Sequence, residues 1–266
     1  WLNGSKYVHN SASTVVTGAT ITFFANATGN TVLEIRRISG TFGNAVSLTV
    51  NGYVNIYTNV TVDGAGTKLF RDGFYGNNTL TFAATSGTIN MGSATPNNSL
   101  SGNLRFVLHK NVNILYNTTM FSVSVFGDVL VIDNTSTAKF VISTGRSLTL
   151  DVATTLNLGT QAVITNNGSF INNGIVRTAN ANGLSGSALA SISGGTVTND
   201  MDSYVEYYGG NQSVTAITYG NLTVSGTGTK TAGTFNLSTN GTLYITGSAT
   251  LNATGNIGPT TANSTD

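Results

Sequence analysis

The sequence has no cysteine, two prolines and few charges. Without Cys there is no disulfide framework, no thiolate metal ligand and no Cys nucleophile. With only two His, His9 and His109, a multi-His metal centre within one chain is excluded. Charged residues make up 8%, against about 25% in an ordinary soluble domain. The 11 basic and 10 acidic side chains leave a formal net charge of +1. That balance supplies neither the basic field that nucleic acid needs nor a polybasic surface for anionic lipid. No apolar run approaches the ~20 residues of a membrane-spanning helix. The first ten residues lack the basic-then-apolar order of a signal peptide. A start at Trp1 rather than Met is read as a processed product or a fragment.

What is present is apolar and hydroxyl-rich. The 266 residues are 39% hydrophobic, with ten Tyr and twelve Phe, so the chain can bury a core and does not fit the composition of disordered proteins. Its polar residues are Thr, Ser and Asn rather than Lys and Glu, a coat suited to an exported protein. About fourteen Asn-X-Ser/Thr sequons occur, Asn26, Asn59, Asn117, Asn167, Asn221 and Asn252 among them. Glycosylation is one expectation from them; a chain this rich in Asn, Ser and Thr also produces sequons by composition.

Helix-favouring Glu, Lys, Arg and Gln are scarce, while Thr, Val, Ile, Asn and Gly abound. Short runs alternate apolar and polar residues with a period of two: 47–51, 54–56, 60–62, 80–82, 104–108, 121–125, 140–142, 148–150 and 156–158. Asn-Gly and Asp-Gly pairs at 51–52, 63–64, 72–73, 167–168, 173–174 and 240–241 end the runs and turn the chain. The fold is therefore all-β. Tandem β-sandwiches with hairpins at these turns are one solution. The other is a right-handed parallel β-helix, a solenoid in which each short strand stacks on its equivalent in the next coil. The solenoid is favoured by strands of three to five residues and by internal similarity, as between 147–159 and 241–254. Asn-Asn-Gly also occurs twice, at 166–168 and 172–174; stacked Asn at turns can form amide ladders. A composition shift over 179–199 marks a loop or short excursion. It divides a main unit, 1–195, from a C-terminal β repeat unit, 196–266.

The most specific pattern is the run from Tyr204 to Gly233. A Val-Glu-Tyr strand is followed by a Gly-rich turn, a Gln, a Tyr-Gly-Asn-Leu strand start and Ser-Gly-X-Gly-X-Lys-Thr. Through Val205, Glu206, Tyr207, Gln212, Tyr219, Asn221, Leu222, Gly226, Gly228, Lys230 and Thr231 it resembles a repeat of large secreted surface proteins of Bacteroidetes. The stretch from Leu33 to Met91 is similar to the N-terminal parts of the same proteins, more weakly. The resemblance implies export by the type IX route and a place in a long adhesin or filament. It brings no catalytic residues, and no sorting domain is visible at the C-terminus.

The candidate sites follow. Arg105, Asp128, Asp133, Arg146, Asp151 and Arg177, if stacked on one coil face, would suit an enzyme acting on polysaccharide; scattered, they cap coils or face water. Asp200 and Asp202 are a possible Ca²⁺ pair. Lys230 follows a Gly-rich run, but the spacing is wrong for a phosphate-binding loop and no helix follows. Arg36 and Arg37 fall on opposite faces of a strand, one of them within reach of pairing with Glu34 or Asp63. Tyr204, Tyr207, Tyr208 and Tyr219 are candidate glycan or partner contacts, although alternation puts Tyr207 and Tyr208 on opposite faces and one of them in the core. Residues 14–24 read as a long apolar strand, with Val15, Val16, Ile21, Phe23 and Phe24 as its side chains. It could be donated to a neighbour or could cap its own coil. The expected role is an extracellular structural or adhesive surface protein, self-associating into a filament, not an enzyme and without cofactor or metal. A polysaccharide-active β-helix enzyme and a module binding surface glycans are the alternatives.

Overall fold

The structure, a computed structural model, describes residues 52–63, 65–83, 86–92, 99–108, 110–115, 117–121, 128–133 and 137–259, with short strands at 7–9, 15–17, 21–23, 33–35, 41–44 and 47–50. The described residues contain strands and turns and no helix. They form a right-handed parallel β-helix. Strand pairing is parallel throughout, for example Leu80 on Val60 and Phe106 on Leu80. The Asn-Gly and Asp-Gly turns therefore make corners rather than hairpins, and the sandwich alternative falls away.

Three faces run along the coil axis, with nine, eleven and eight strands. One coil shows the order: Val54–Ile56 on the first face, Val60–Asp63 on the second, Thr67–Phe70 on the third. The chain then returns to the first face at Gly73–Gly76. On the eleven-stranded face a coil advances 20 residues from Val62 to Phe82, 17 from Tyr204 to Asn221 and 29 from Ile175 to Tyr204. Length variation is absorbed at the corners while the strands keep their register.

Alternation decides what goes inside. In Thr79–Phe82, Leu80 and Phe82 are buried and the two Thr face outward. Inward residues stack coil upon coil, Leu156 under Val176, Val205 and Leu222, all fully buried. Each such side chain contributes roughly 1.5–3 kcal/mol of burial. The three faces meet at the axis. Phe70, Phe74 and Phe82 come one from each face, with ring centroids 4.7 Å apart for the first pair and 6.1 Å for the second.

Asparagine holds the corners. Asn166 Oδ1 accepts the Gly168 N–H (3.0 Å) and Asn172 Oδ1 the Gly174 N–H (3.1 Å). Their Nδ2 groups reach the next coil, donating to Thr196 O from Asn166 and to Asn199 Oδ1 and Tyr204 O from Asn172. Of the two Asn-Asn-Gly turns, the second therefore carries an amide-to-amide bond, Asn172 to Asn199, and another such bond joins Asn113 to Asn90. A further set reaches across coils with Oδ1: Asn59, Asn77, Asn111, Asn117, Asn211 and Asn221 accept the N–H of Thr79, Asn103, Lys139, Ser147, Thr229 and Thr242. Gly174 has a steric reason. A Cβ there would lie 2.4 Å from Thr154 O and 2.5 Å from Asp151 O.

Beyond Thr178 the chain leaves the regular coil until Ser191. The excursion is fastened at its base by Thr178 Oγ1 and Ser191 Oγ (2.7 Å) and by Asn180 Nδ2 on Leu189 O (2.8 Å). The eight- and nine-stranded sheets finish just after it, at Ile192–Ser193 and Thr196–Asn199. Two three-stranded sheets take up the later coils, while the eleven-stranded sheet runs through Ile175–Thr178, Tyr204–Tyr207, Asn221–Val224 and Leu243–Ile245 without a break. The nine-stranded sheet still includes Thr196–Asn199, beyond residue 195, and the eleven-stranded sheet crosses that position without a break.

Residues 14–24 do not form one strand. Val15–Thr17 and Ile21–Phe23 are separate strands on different faces, paired in parallel with Thr41–Asn44 and Ser47–Val50 of the next coil. They belong to the first coil of their own solenoid; Phe24 lies outside the described residues.

Replacing Asn172 by Ala removes a corner acceptor and both donors to the next coil. The expected loss is about 2–3 kcal/mol, read as a lower urea midpoint.

Candidate functional site

The four tyrosines divide by face. Tyr207 and Tyr219 are fully buried. Tyr219 Oη donates to Thr215 O (2.6 Å), so Tyr207 Oη donates to Tyr219 Oη (2.8 Å) and accepts the Thr215 N–H (3.1 Å). Burial pushes both phenols above their ordinary pKa. Tyr219 also packs edge-on against Phe235, centroids 5.7 Å apart. This pair fastens a corner from inside the core and cannot contact a glycan, which corrects that expectation. Tyr204 and Tyr208 do face outward. Tyr208 Oη donates to Asn157 Oδ1 (2.8 Å) and its ring lies 4.9 Å from the Arg177 guanidinium. Arg177 pairs with Glu206 (2.5 Å), whose other oxygen accepts from Ser225 Oγ (2.6 Å). Register places Asn157, Arg177, Glu206, Thr223 and Tyr244 in one outward row.

The remaining residues of the repeat pattern also act within the fold. Gln212 is buried, takes the Gly209 N–H on Oε1 and donates to Thr178 O and Asn180 O. The Lys230 ammonium lies inside, donating to Gly209 O (2.6 Å), Ser225 O (2.8 Å) and Thr227 O (2.7 Å). It ties the turn that precedes it to the corresponding turn one coil earlier, and offers nothing to a phosphate.

Register puts Asp128 and Asp133 in rows other than that of Arg105 and Arg177. Arg105 and Arg177 share a row but are separated by Val131 and Asn157, while Asp128 sits over Thr154 and Asp133 over Val107. Asp200 Oδ1 accepts the Asp202 N–H (3.0 Å), so one member of that pair closes its own turn. Two titratable groups escaped the sequence reading. Lys68 is fully buried, with Nζ donating to Gly66 O (2.7 Å). Asp72 is buried on a corner, and desolvation raises its carboxyl to about 6 despite the neighbouring Arg71.

Two surface features remain as interaction candidates. Where the 179–191 excursion steps aside, an open groove of about 1080 Å³ is lined by Thr165, Asn167, Asn182, Ser193, Thr196 and Ser213, among other uncharged residues. Its hydroxyl and amide groups can donate to and accept from a neutral polar ligand. The second feature is the last coil, where inward-facing apolar side chains lie open: Ile245 is 52% exposed and Ile257 39%.

Two measurements check these assignments. Folded Asp72 binds its proton more tightly than an ordinary carboxylate. The contribution of Asp72 to stability is therefore greatest below pH 3.8 and is lost as pH rises through about 6. Asp72→Asn should flatten that slope in a series of melting temperatures and raise the melting temperature at neutral pH. Lys230→Met leaves three carbonyls without their donor and should cost about 2–4 kcal/mol in chemical denaturation.

Comparison of the chain with protein families, curated proteins and solved structures returns no match.

Proposed function

We propose that this chain is a segment of an extracellular structural or adhesive surface protein and that it works as a stiff rod in a cell-surface filament. The observation that carries the reading is the eleven-stranded parallel sheet running from the first coil to the last. At about 4.8 Å per strand step this is a rod roughly 50 Å long. Its stiffness comes from hydrogen bonds parallel to the axis and from asparagines bonded across coils. The outward rows support the same reading over a polysaccharide-active enzyme. They present groups such as Thr61 and Thr81, or Asn90 and Asn113, and where a base and an acid do stack, at Arg177 and Glu206, the two bond to each other. Sequon asparagines on the surface, Asn167 and Asn252 among them, would carry the glycans of such a protein.

A second reading, binding of a neutral glycan, is favoured by the uncharged groove beside the excursion. It is compatible with an adhesive rod.

Electron microscopy of the purified chain and antibody labelling of intact source cells test the proposal. Linear assemblies with an axial repeat of about 50 Å, and label on the outer surface, are expected. Dispersed monomers with label confined to the cell interior would oppose it. For the second reading, a glycan array should show binding that Asn182→Ala weakens.

A further inference from the structure

The groove beside the excursion lies within the chain, with coils before and after it. Three segments wall it: 182–188 of the excursion, the corner at 193–197 and the turn at 213–217 in the following coil. Two faces lose their register at this corner. Ile192–Ser193 is the last strand of the eight-stranded sheet and Thr196–Asn199 the last of the nine-stranded sheet, so no described strand of the next coil pairs with either.

Each wall is fixed from behind by a buried polar side chain. Asn166 donates from Nδ2 to Thr196 O (2.9 Å). Gly194 and Gly195 turn that corner at φ +75° and +56°, and a Cβ on Gly195 would lie 2.4 Å from Asn166 Cγ. Asn180 accepts the Asn182 N–H on Oδ1 (2.8 Å) while its Nδ2 holds Leu189 O. Thr215 Oγ1 accepts the Ser185 N–H and donates to Ser185 O, both at 3.0 Å. Tyr207 and Tyr219 in turn hold the Thr215 backbone from the core. The groove is thus built in advance of any ligand, which spares a ligand the cost of ordering it.

The groups that face the opening are of another kind. The side chains of Thr165, Asn182, Thr196 and Ser213 line it and bond to none of the described residues. A hydroxyl both donates and accepts, and an amide does so with separate atoms; sugar hydroxyls need that combination. Val197 and Ile217 add apolar area for the C–H faces of sugar rings. No Asp, Glu, Lys or Arg is among the described residues that line the groove. A uronate or sulfate seated there would lose water and find no cation to pair with. The volume of about 1080 Å³ exceeds the roughly 300–1,000 Å³ of pockets for single drug-sized ligands, which suits several linked sugars.

We infer that the groove is a binding site for a neutral oligosaccharide of several units and that it rejects acidic saccharides. The inference rests on the glycan-binding reading and fixes the length and the charge of the ligand.

Isothermal titration calorimetry on the 266-residue chain tests it. Cellohexaose, maltohexaose and mannohexaose are the neutral probes, hexagalacturonate the acidic one, and glucose and mannose the single units. At least one neutral hexasaccharide should bind, its monosaccharide about tenfold or more weakly, and hexagalacturonate not at all. Ser213→Ala should weaken the hexasaccharide by about three- to tenfold. Thr196→Lys should weaken it too and admit hexagalacturonate. Both positions are exposed, so the two variants should keep the wild-type melting temperature. Thr223→Ala, on the outward row of the eleven-stranded face, should bind as the wild type does. Neutral binding that neither Ser213→Ala nor Thr196→Lys changes would overturn this site and leave the glycan reading standing. Equal binding of hexagalacturonate, or of a single sugar, by the wild type would overturn the selection by charge or by length. A chain that binds none of the neutral probes would overturn the inference and the glycan reading together.

Discussion

Every coil of this protein depends on the coils beside it. A parallel strand of three or four residues makes few contacts within its own coil, and its backbone bonds run to its neighbours along the axis. So do the bonds of its corner side chains. Asn166 and Asn172 close their own turns with one side-chain atom and hold the following coil with the other. Lys230 does the same with an ammonium, joining its own turn to the turn one coil earlier. Stability in such a fold is close to a sum of coil terms and neighbour terms.

The same dependence explains the composition. A coat of Thr, Ser and Asn lets outward rows bond from coil to coil where like charges would repel along a ladder. Among the charges that remain, Arg177 is paired with Glu206, and Lys68, Asp72 and Lys230 are buried. The abundance of Asn-X-Ser/Thr acquires a folding account as well. Asn59, Asn77, Asn117, Asn211 and Asn221 each stand in a sequon and each accept an N–H from the next coil, at or just before a strand.

Strand positions and the solenoid itself were legible because period-two alternation and Asn-Gly punctuation are local signals. The amide ladder at Asn172 was legible for the same reason. Other features were not. Alternation required Tyr207 and Tyr208 to face opposite ways but could not say which is inside; the choice is made by Tyr219 and Thr215, which approach from a later corner. Lys68 and Lys230 resemble surface lysines in any linear reading, since Lys is almost never fully buried unless paired. Their partners are backbone carbonyls, Gly66 O of the preceding turn for Lys68 and, for Lys230, two of its own turn and Gly209 O one coil earlier. The run at 14–24 resembled one strand because only Gly18, Ala19 and Thr20 separate its two halves in sequence. The groove beside the excursion is lined by strand and loop residues far apart in sequence and has no sequence signature.

The central claim is that a coil is complete only when covered on both sides. Amide hydrogen exchange, followed by mass spectrometry at low and high protein concentration, tests it most directly. In dilute solution the amides of 243–245 and 250–253 should exchange orders of magnitude faster than those of 221–224, one coil inward. At high concentration they should become protected, with little change at 221–224. Equal protection of the last two coils in dilute solution, or fast exchange in the last coil at every concentration, would contradict the account.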